Sequence, residues 1–125
     1  MRWVAEYERA WREGNVSAVA HLFTENAGYR VSPYADPKVG SAEIQAFWLD
    51  DEGRTFTVTA EPVAVDGHVA VVRLEVRYDE PAQEYRDLWV LRFAPDGRVE
   101  DFEEWAYWPG RPYTAQSEAR TGVRP

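Results

Sequence analysis

Apolar side chains recur at helical spacing in the first part of the chain and alternate in the second. From Arg2 to about Glu13, Val4, Tyr7, Ala10 and Trp11 fall three and four residues apart, which predicts an amphipathic helix with an aromatic inner stripe. Gly14 closes it, and Asn15 is placed to cap a second helix reaching Phe23, with Val16, Val19, Ala20 and Phe23 inward. Thr24 to Asn26 breaks the pattern. Gly28 to Ser32 reads as a short strand, because Pro33 disfavours helical backbone at Ser32. Pro33, Pro37 and Gly40 then mark a loop. Ser41 can cap a third helix whose stripe is Ile44, Phe47 and Trp48.

After Gly53 the period falls to two. Thr55 to Val65 is the first long strand, with Pro62 at a bulge or an edge. Asp66-Gly67 signals a hairpin into His68 to Asp79. A loop holding Pro81 leads to Tyr85 to Ala94. Pro95-Asp96-Gly97 turns the chain into the fourth strand, Arg98 to Trp108. Three helices feeding an antiparallel meander is an α+β plan with the helices on one sheet face. Strand parity sorts the side chains. One face carries Val72, Leu74, Val76, Tyr78, Asp87, Trp89, Leu91, Phe93, Phe102, Glu104 and Ala106. The other carries Arg73, Glu75, Arg77, Arg86, Leu88, Val90, Arg92, Asp101, Glu103 and Trp105. The first face is the apolar one and belongs beneath the helices. Asp87 and Glu104 interrupt it, a local inconsistency of the kind that marks a site. Residues 1–109 make one domain, and the polar stretch 110–125 reads as a tail.

Composition sharpens this in three ways. Six Trp, seven Tyr and five Phe would line an apolar cavity as readily as they fill a core. A net charge of −8 repels phosphate backbones and anionic lipid, which argues against nucleic acid or membrane as partner. The absence of Cys removes disulfides, thiolate catalysis and Cys-ligated metal sites. The charged N-terminus, MRWVAEYERAW, does not resemble a signal peptide, so a cytoplasmic location is expected. His21 and His68 stand alone, without the acid spacing of a metal site, and read as surface residues. No metal or other cofactor is expected.

Several strings resemble SnoaL-like members of the NTF2-like superfamily. These are Tyr7-x-x-x-Trp11-x-x-Gly14-Asn15 running on to Leu22-Phe23-Thr24-Glu25-Asn26-Ala27, then Pro37-x-x-Gly40-x-x-x-Ile44-x-x-Phe47-Trp48. The third is Leu91-Arg92-Phe93 through Gly97-Arg98-Val99 to Glu104-Trp105. The resemblance spans about Val4 to Trp108 and implies a cone: three N-terminal helices on a curved antiparallel sheet around an apolar pocket. It does not fix the chemistry, since this fold hosts isomerases, cyclases, hydrolases and binders. Steroid isomerases of the superfamily hold an enolate oxygen with a first-helix Tyr, and Tyr7 falls at that place. Their base position holds Val31 or Ser32 here, and their second acid position holds Trp89, which argues against that activity. Limonene-epoxide-hydrolase-like members carry an Asp where Glu104 stands, paired with an Arg and an acid two residues apart. Arg73 and Glu75 have the spacing, but parity turns them to the outer face.

Glu104 is the first functional candidate, since an acid projecting into an apolar cone is disfavoured in its charged form and suited to proton transfer. The plain alternative is a structural carboxylate bonded to an amide or an indole N–H. Asp87 is its candidate partner at a facing position about 5 Å away, in which case one of the two should hold a proton. Otherwise Asp87 sits at the rim, solvated or paired with an arginine. Tyr7 could donate to a ligand oxygen, or be a core tyrosine bonded to Asp87 or to backbone. Trp11, Tyr29, Trp48, Trp89 and Phe102 are the candidate pocket wall, or plain core. Tyr34 and Asp36 could cover the mouth, or lie in a solvated loop. The expected partner is a small apolar molecule. The expected activity is cofactor-free acid–base chemistry on a carbonyl or epoxide compound, with a non-catalytic binder or a dimerising domain as alternatives. A homodimer is expected through the outer sheet face, each Arg meeting an acid of its mate.

Overall fold

The structure is a computed structural model that describes residues 2–49, 56–79 and 82–110. The expected strand start at Thr55, the loop at Pro81 and the tail beyond Gly110 lie outside the described residues. Helix α1 spans Arg2–Glu13. Gly14, at φ +64, takes the left-handed conformation that ends it, and Asn15 N–H returns to the Ala10 carbonyl at 2.9 Å. The Asn15 side chain caps no helix: its oxygen accepts the Ser17 hydroxyl at 2.6 Å.

The second helix is shorter than expected. A 3-10 turn over Val16–Ala18 leads to a single α-turn, α2, over Val19–Leu22. Phe23 is already extended and opens strand β1, Phe23–Arg30. Arg98 ties this junction, its guanidinium donating to Ala20 O at 3.2 Å and Phe23 O at 3.5 Å. Ala20 is accordingly exposed, whereas Val19, Leu22 and Phe23 are buried. The stretch read as a loop contains a two-residue strand, β2, Lys38–Val39, which pairs antiparallel with β1. Helix α3 is Ser41–Leu49. Ser41 belongs to its first turn rather than capping it; its hydroxyl accepts Gln45 Nε2 at 2.9 Å, while Glu43 accepts the Val39 amide.

Strands β3 (Phe56–Asp66), β4 (Val69–Tyr78), β5 (Gln83–Phe93) and β6 (Val99–Tyr107) form the expected meander. The β3–β4 register shifts between Pro62 and Ala64, the bulge that the proline demands. Gly67, at φ +60, supplies the positive φ of the turn between these strands. The sheet has six strands in the order β2-β1-β6-β5-β4-β3, because β1 lies parallel to β6 with Tyr29 opposite Phe102. The plan is therefore a curved, unclosed sheet with β1 and β2 interleaved among the helices, rather than three successive helices laid on a separate meander.

Parity holds. Val72, Leu74, Val76, Tyr78, Asp87, Trp89, Leu91 and Phe102 are buried on the inner face, with Glu104 half-buried among them. Arg73, Arg77, Arg86, Leu88, Arg92 and Trp105 are exposed on the outer face. Two of those arginines already have acids of their own chain, Arg73 with Glu61 at 3.5 Å and Arg86 with Glu75 at 3.8 Å. Such exposed pairs are worth little to stability. No helix among the described residues is long and apolar enough to cross a membrane.

Candidate functional site

Helix α1 lays Trp3 and Tyr7 on the inner sheet face, four residues apart and so one above the other. Trp3 is anchored by its indole N–H, which donates to Leu22 O at 2.9 Å. Tyr7 meets Trp89 with ring centroids 4.6 Å apart and Trp48 at 4.9 Å. Phe102 stacks on Tyr29 at 4.3 Å and lies 5.1 Å from Trp89. Tyr29, Trp48, Trp89 and Phe102 therefore converge around Tyr7. Trp11 is half-buried, lies 6.0 Å from the Tyr7 ring and stacks on Phe56 at 4.1 Å. Tyr34 is 96 % exposed and covers nothing, and His21 and His68 are exposed.

The Tyr7 hydroxyl shares a 2.8 Å hydrogen bond with the Tyr29 hydroxyl, a partner on β1 that neither Asp87 nor backbone had suggested. Burial, then the neighbouring Tyr7 and Glu104, hold the Tyr29 phenol well above its usual range, so it stays protonated. Glu104 thus lies within electrostatic reach of the tyrosine pair.

Asp87 is not at the rim. It is 3 % exposed, between Leu74 and Ala106 on the flanking strands. Its Oδ2 accepts the Trp89 indole N–H at 3.1 Å, whereas Oδ1 is buried without a hydrogen bond of ordinary geometry. Glu104 does not face it directly: Trp89 is opposite Glu104 and Ala106 opposite Asp87, so the two acids are diagonal neighbours. Their side chains still meet. Burial, followed by the charge of Glu104 and a hydrogen bond between the two carboxyls, raises the Asp87 pKa well above its usual value; the Trp89 and Trp105 N–H groups oppose this only in part. Burial and the neighbouring Glu104 carboxyl both favour the protonated form of Asp87. No third metal-ligating side chain joins the pair among the described residues.

Tyr85, which the sequence pattern does not single out, joins the two acids on this face. It precedes Asp87 by two positions on β5, hence on the same face, and is half-buried. Burial, then Glu104, Tyr78 and Asp87, push its phenol far above the usual range. Parity alone could have found it, because Tyr85, Asp87 and Trp89 alternate on one strand. Arg73 and Glu75 lie on the outer face as expected, so this pair does not join Glu104 on the inner one.

The profile of the SnoaL-like domain matches residues 4–102. The chain belongs to the SnoaL-like family. No curated protein matches the sequence. Among solved structures, this SnoaL-like domain is similar to the epoxide hydrolase/cyclase-like enzyme SalBIII, whose role is in pyran ring formation in the polyether salinomycin. The TM-score is 0.71 at 24 % identity, over 85 % of this chain and 88 % of that one. It is similar also to a computationally designed 17-OHP binder, with TM-score 0.69 and 15 % identity over 85 % and 90 %. At these identities the likeness concerns the SnoaL-like fold and not the reaction.

Proposed function

We propose that this SnoaL-like domain moves a proton on a small, uncharged, largely apolar compound bearing a carbonyl or epoxide oxygen. Glu104 and Asp87 are the acid–base pair, and the Tyr7–Tyr29 hydroxyls stabilise charge that develops on the ligand oxygen. What supports this reading is the buried Asp87 carboxyl beside the half-buried Glu104, within electrostatic reach of the Tyr7–Tyr29 hydroxyls. Glu104, the more accessible acid, takes a proton from carbon or water; Asp87, neutral beside it, donates a hydrogen bond and steadies the charge. The similarity to an epoxide hydrolase/cyclase-like enzyme is in keeping with such chemistry. The likeness to a designed binder supports the other reading, a pocket that holds its ligand unchanged.

One experiment separates the two. Small aryl ketones and aryl epoxides are incubated with the protein in deuterated water, and α-carbon deuterium uptake or ring opening is followed by mass spectrometry. Glu104→Gln keeps the shape and most of the hydrogen bonding but cannot move a proton. It is expected to slow exchange by about a hundredfold, the lower part of the range for acid–base catalysis, with ligand affinity unchanged. Binding without exchange in the wild type, or exchange indifferent to this substitution, would replace the enzyme by the binder.

A homodimer is part of the same reading. Leu88, Trp105 and Tyr107 are 36 %, 39 % and 45 % exposed on the outer sheet face, an apolar strip that a second copy would cover. With Arg73 and Arg86 already paired within their own chain, the strip rather than reciprocal ion pairs is the basis for association. Sedimentation at micromolar concentration should give twice the chain mass, and Trp105→Glu should give the monomer. A monomeric wild type at that concentration ends the idea.

A further inference from the structure

Asp87 and Trp89 occupy alternate positions on β5, so both project from its inner face. The Trp89 indole reaches back along the strand and donates its N–H to Asp87 Oδ2 at 3.1 Å, each residue being only 3 % exposed. The ring has little freedom to leave. Tyr7 lies 4.6 Å from it, Phe102 5.1 Å and Trp3 6.3 Å, centroid to centroid. An indole nitrogen donates and never accepts, so the oxygen it meets must serve as an acceptor. The other oxygen, Oδ1, is buried and makes no hydrogen bond of ordinary geometry. A neutral carboxyl carries its proton on one oxygen and accepts through the other. Trp89 therefore makes the two Asp87 oxygens unequal. Its own cross-strand partner is Glu104, so one ring hydrogen-bonds one acid and lies opposite the other.

The titratable groups of the inner face around this carboxyl are Glu104 on β6, Tyr78 on β4, Tyr85 on β5, Tyr7 on α1 and Tyr29 on β1. The Trp105 amide of β6 faces it as a second N–H donor. The arginines of β4 and β5 lie on the outer face, and the acids of α3 and β3 are exposed. We propose that Trp89 is the positioning residue of the acid pair: its indole N–H holds Asp87 Oδ2 as an acceptor and so assigns the proton of neutral Asp87 to Oδ1, which donates to the Glu104 carboxylate. The inference rests on the proton-transfer reading only for its effect on turnover, because the proton's place is a property of the fold whether or not a ligand is transformed. The same N–H favours the ionised form of Asp87, against burial and Glu104.

The test is NMR of the full chain. In the wild type the Trp89 indole proton, assigned through its side-chain carbons, should shift with pH at the midpoint of the Asp87 carboxyl-carbon titration, since a hydrogen bond to an anion is shorter and stronger. Asp87→Asn should leave that indole signal flat. Trp89→Phe keeps a ring in the core and deletes the donor. The Asp87 titration should then move to higher pH, its ionisation weakened about tenfold, the scale by which a hydrogen bond to a charged group exceeds one to a neutral group. The alkaline limb of deuterium exchange, where neutral Asp87 is lost, should move the same way. A ring that merely fills space would lower stability without moving either midpoint. An indole signal indifferent to Asp87 would overturn the proposal, and it is read on the wild type even if the variant fails to fold. An Asp87 titration unmoved or lowered in Trp89→Phe would overturn it equally. The two readings fail separately. Indole and carboxyl titrating together, with no deuterium exchange, uphold the positioning and remove the catalysis. Exchange alongside an indole signal that ignores Asp87 does the reverse.

Discussion

Asp87→Asn is expected to remove a slope of about 1.4 kcal/mol per pH unit from the pH dependence of stability, starting near pH 4 and continuing upward. In the unfolded chain Asp87 gives up its proton near its usual value of 3.8, whereas in the fold burial and Glu104 hold that proton to a much higher pH. Between those two limits the unfolded state binds one proton fewer than the native state. Unfolding therefore becomes easier with each unit of rising pH. The stabilisation from the neutral acid is complete below the unfolded value and is lost as pH rises through the folded one. Asparagine cannot titrate, so urea unfolding of both proteins at several pH values should give curves that diverge, the variant gaining on the wild type towards neutral and alkaline pH. Subtracting the two cancels the acids remote from Asp87, whose contributions are common to both; the neighbouring Glu104 is the exception. Parallel curves would mean that Asp87 ionises in the fold as it does in water, and its place as the neutral member of the pair would go with it.

Phe102→Ala is expected to cost about 3–5 kcal/mol, the usual penalty for removing a fully buried ring from a packed core. The side chain is fully buried, stacked on Tyr29 and within 6.0 Å, centroid to centroid, of Tyr7, Phe23 and Trp89. Against a domain stability of roughly 5–15 kcal/mol that is a large share. A loss below about 2 kcal/mol would mean that the ring borders a hollow and leaves little new void behind. The same denaturant titration thus tells how far the centre of the domain is filled.

The carboxylate pair is legible from sequence because its signal is local. Hairpin turns at Asp66-Gly67 and Pro95-Asp96-Gly97 fix strand boundaries, and alternation then assigns faces, so Asp87 and Glu104 fall inward without any knowledge of the third dimension. Their relative depth is not legible. It depends on register, which puts Trp89 and not Asp87 opposite Glu104, and on the rings that cover Asp87. The Tyr7–Tyr29 bond is out of reach because it joins α1 to β1, and β1 is held by pairing with β6 some 70 residues later. Helical length fails at Phe23 for the same reason: spacing continues the stripe, but the distant strand captures the backbone. Trp3 and Tyr85 needed no such distant knowledge, since Trp3 lies one turn before Tyr7 and Tyr85 two positions before Asp87.

The parallel seam between β1 and β6 bears on how the chain assembles. Every contact in the β3-to-β6 meander closes a short loop, so that part can form early and cheaply. The seam instead brings Phe23–Arg30 to Val99–Glu103, and until it closes β1 has only the two residues of β2 beside it. During synthesis the N-terminal helices and β1 therefore leave the ribosome well before their docking strand exists. The aromatic rings of Trp3, Tyr7, Phe23 and Tyr29 spend that interval without the sheet that buries them, and transiently exposed apolar surface of this kind is where misassociation begins.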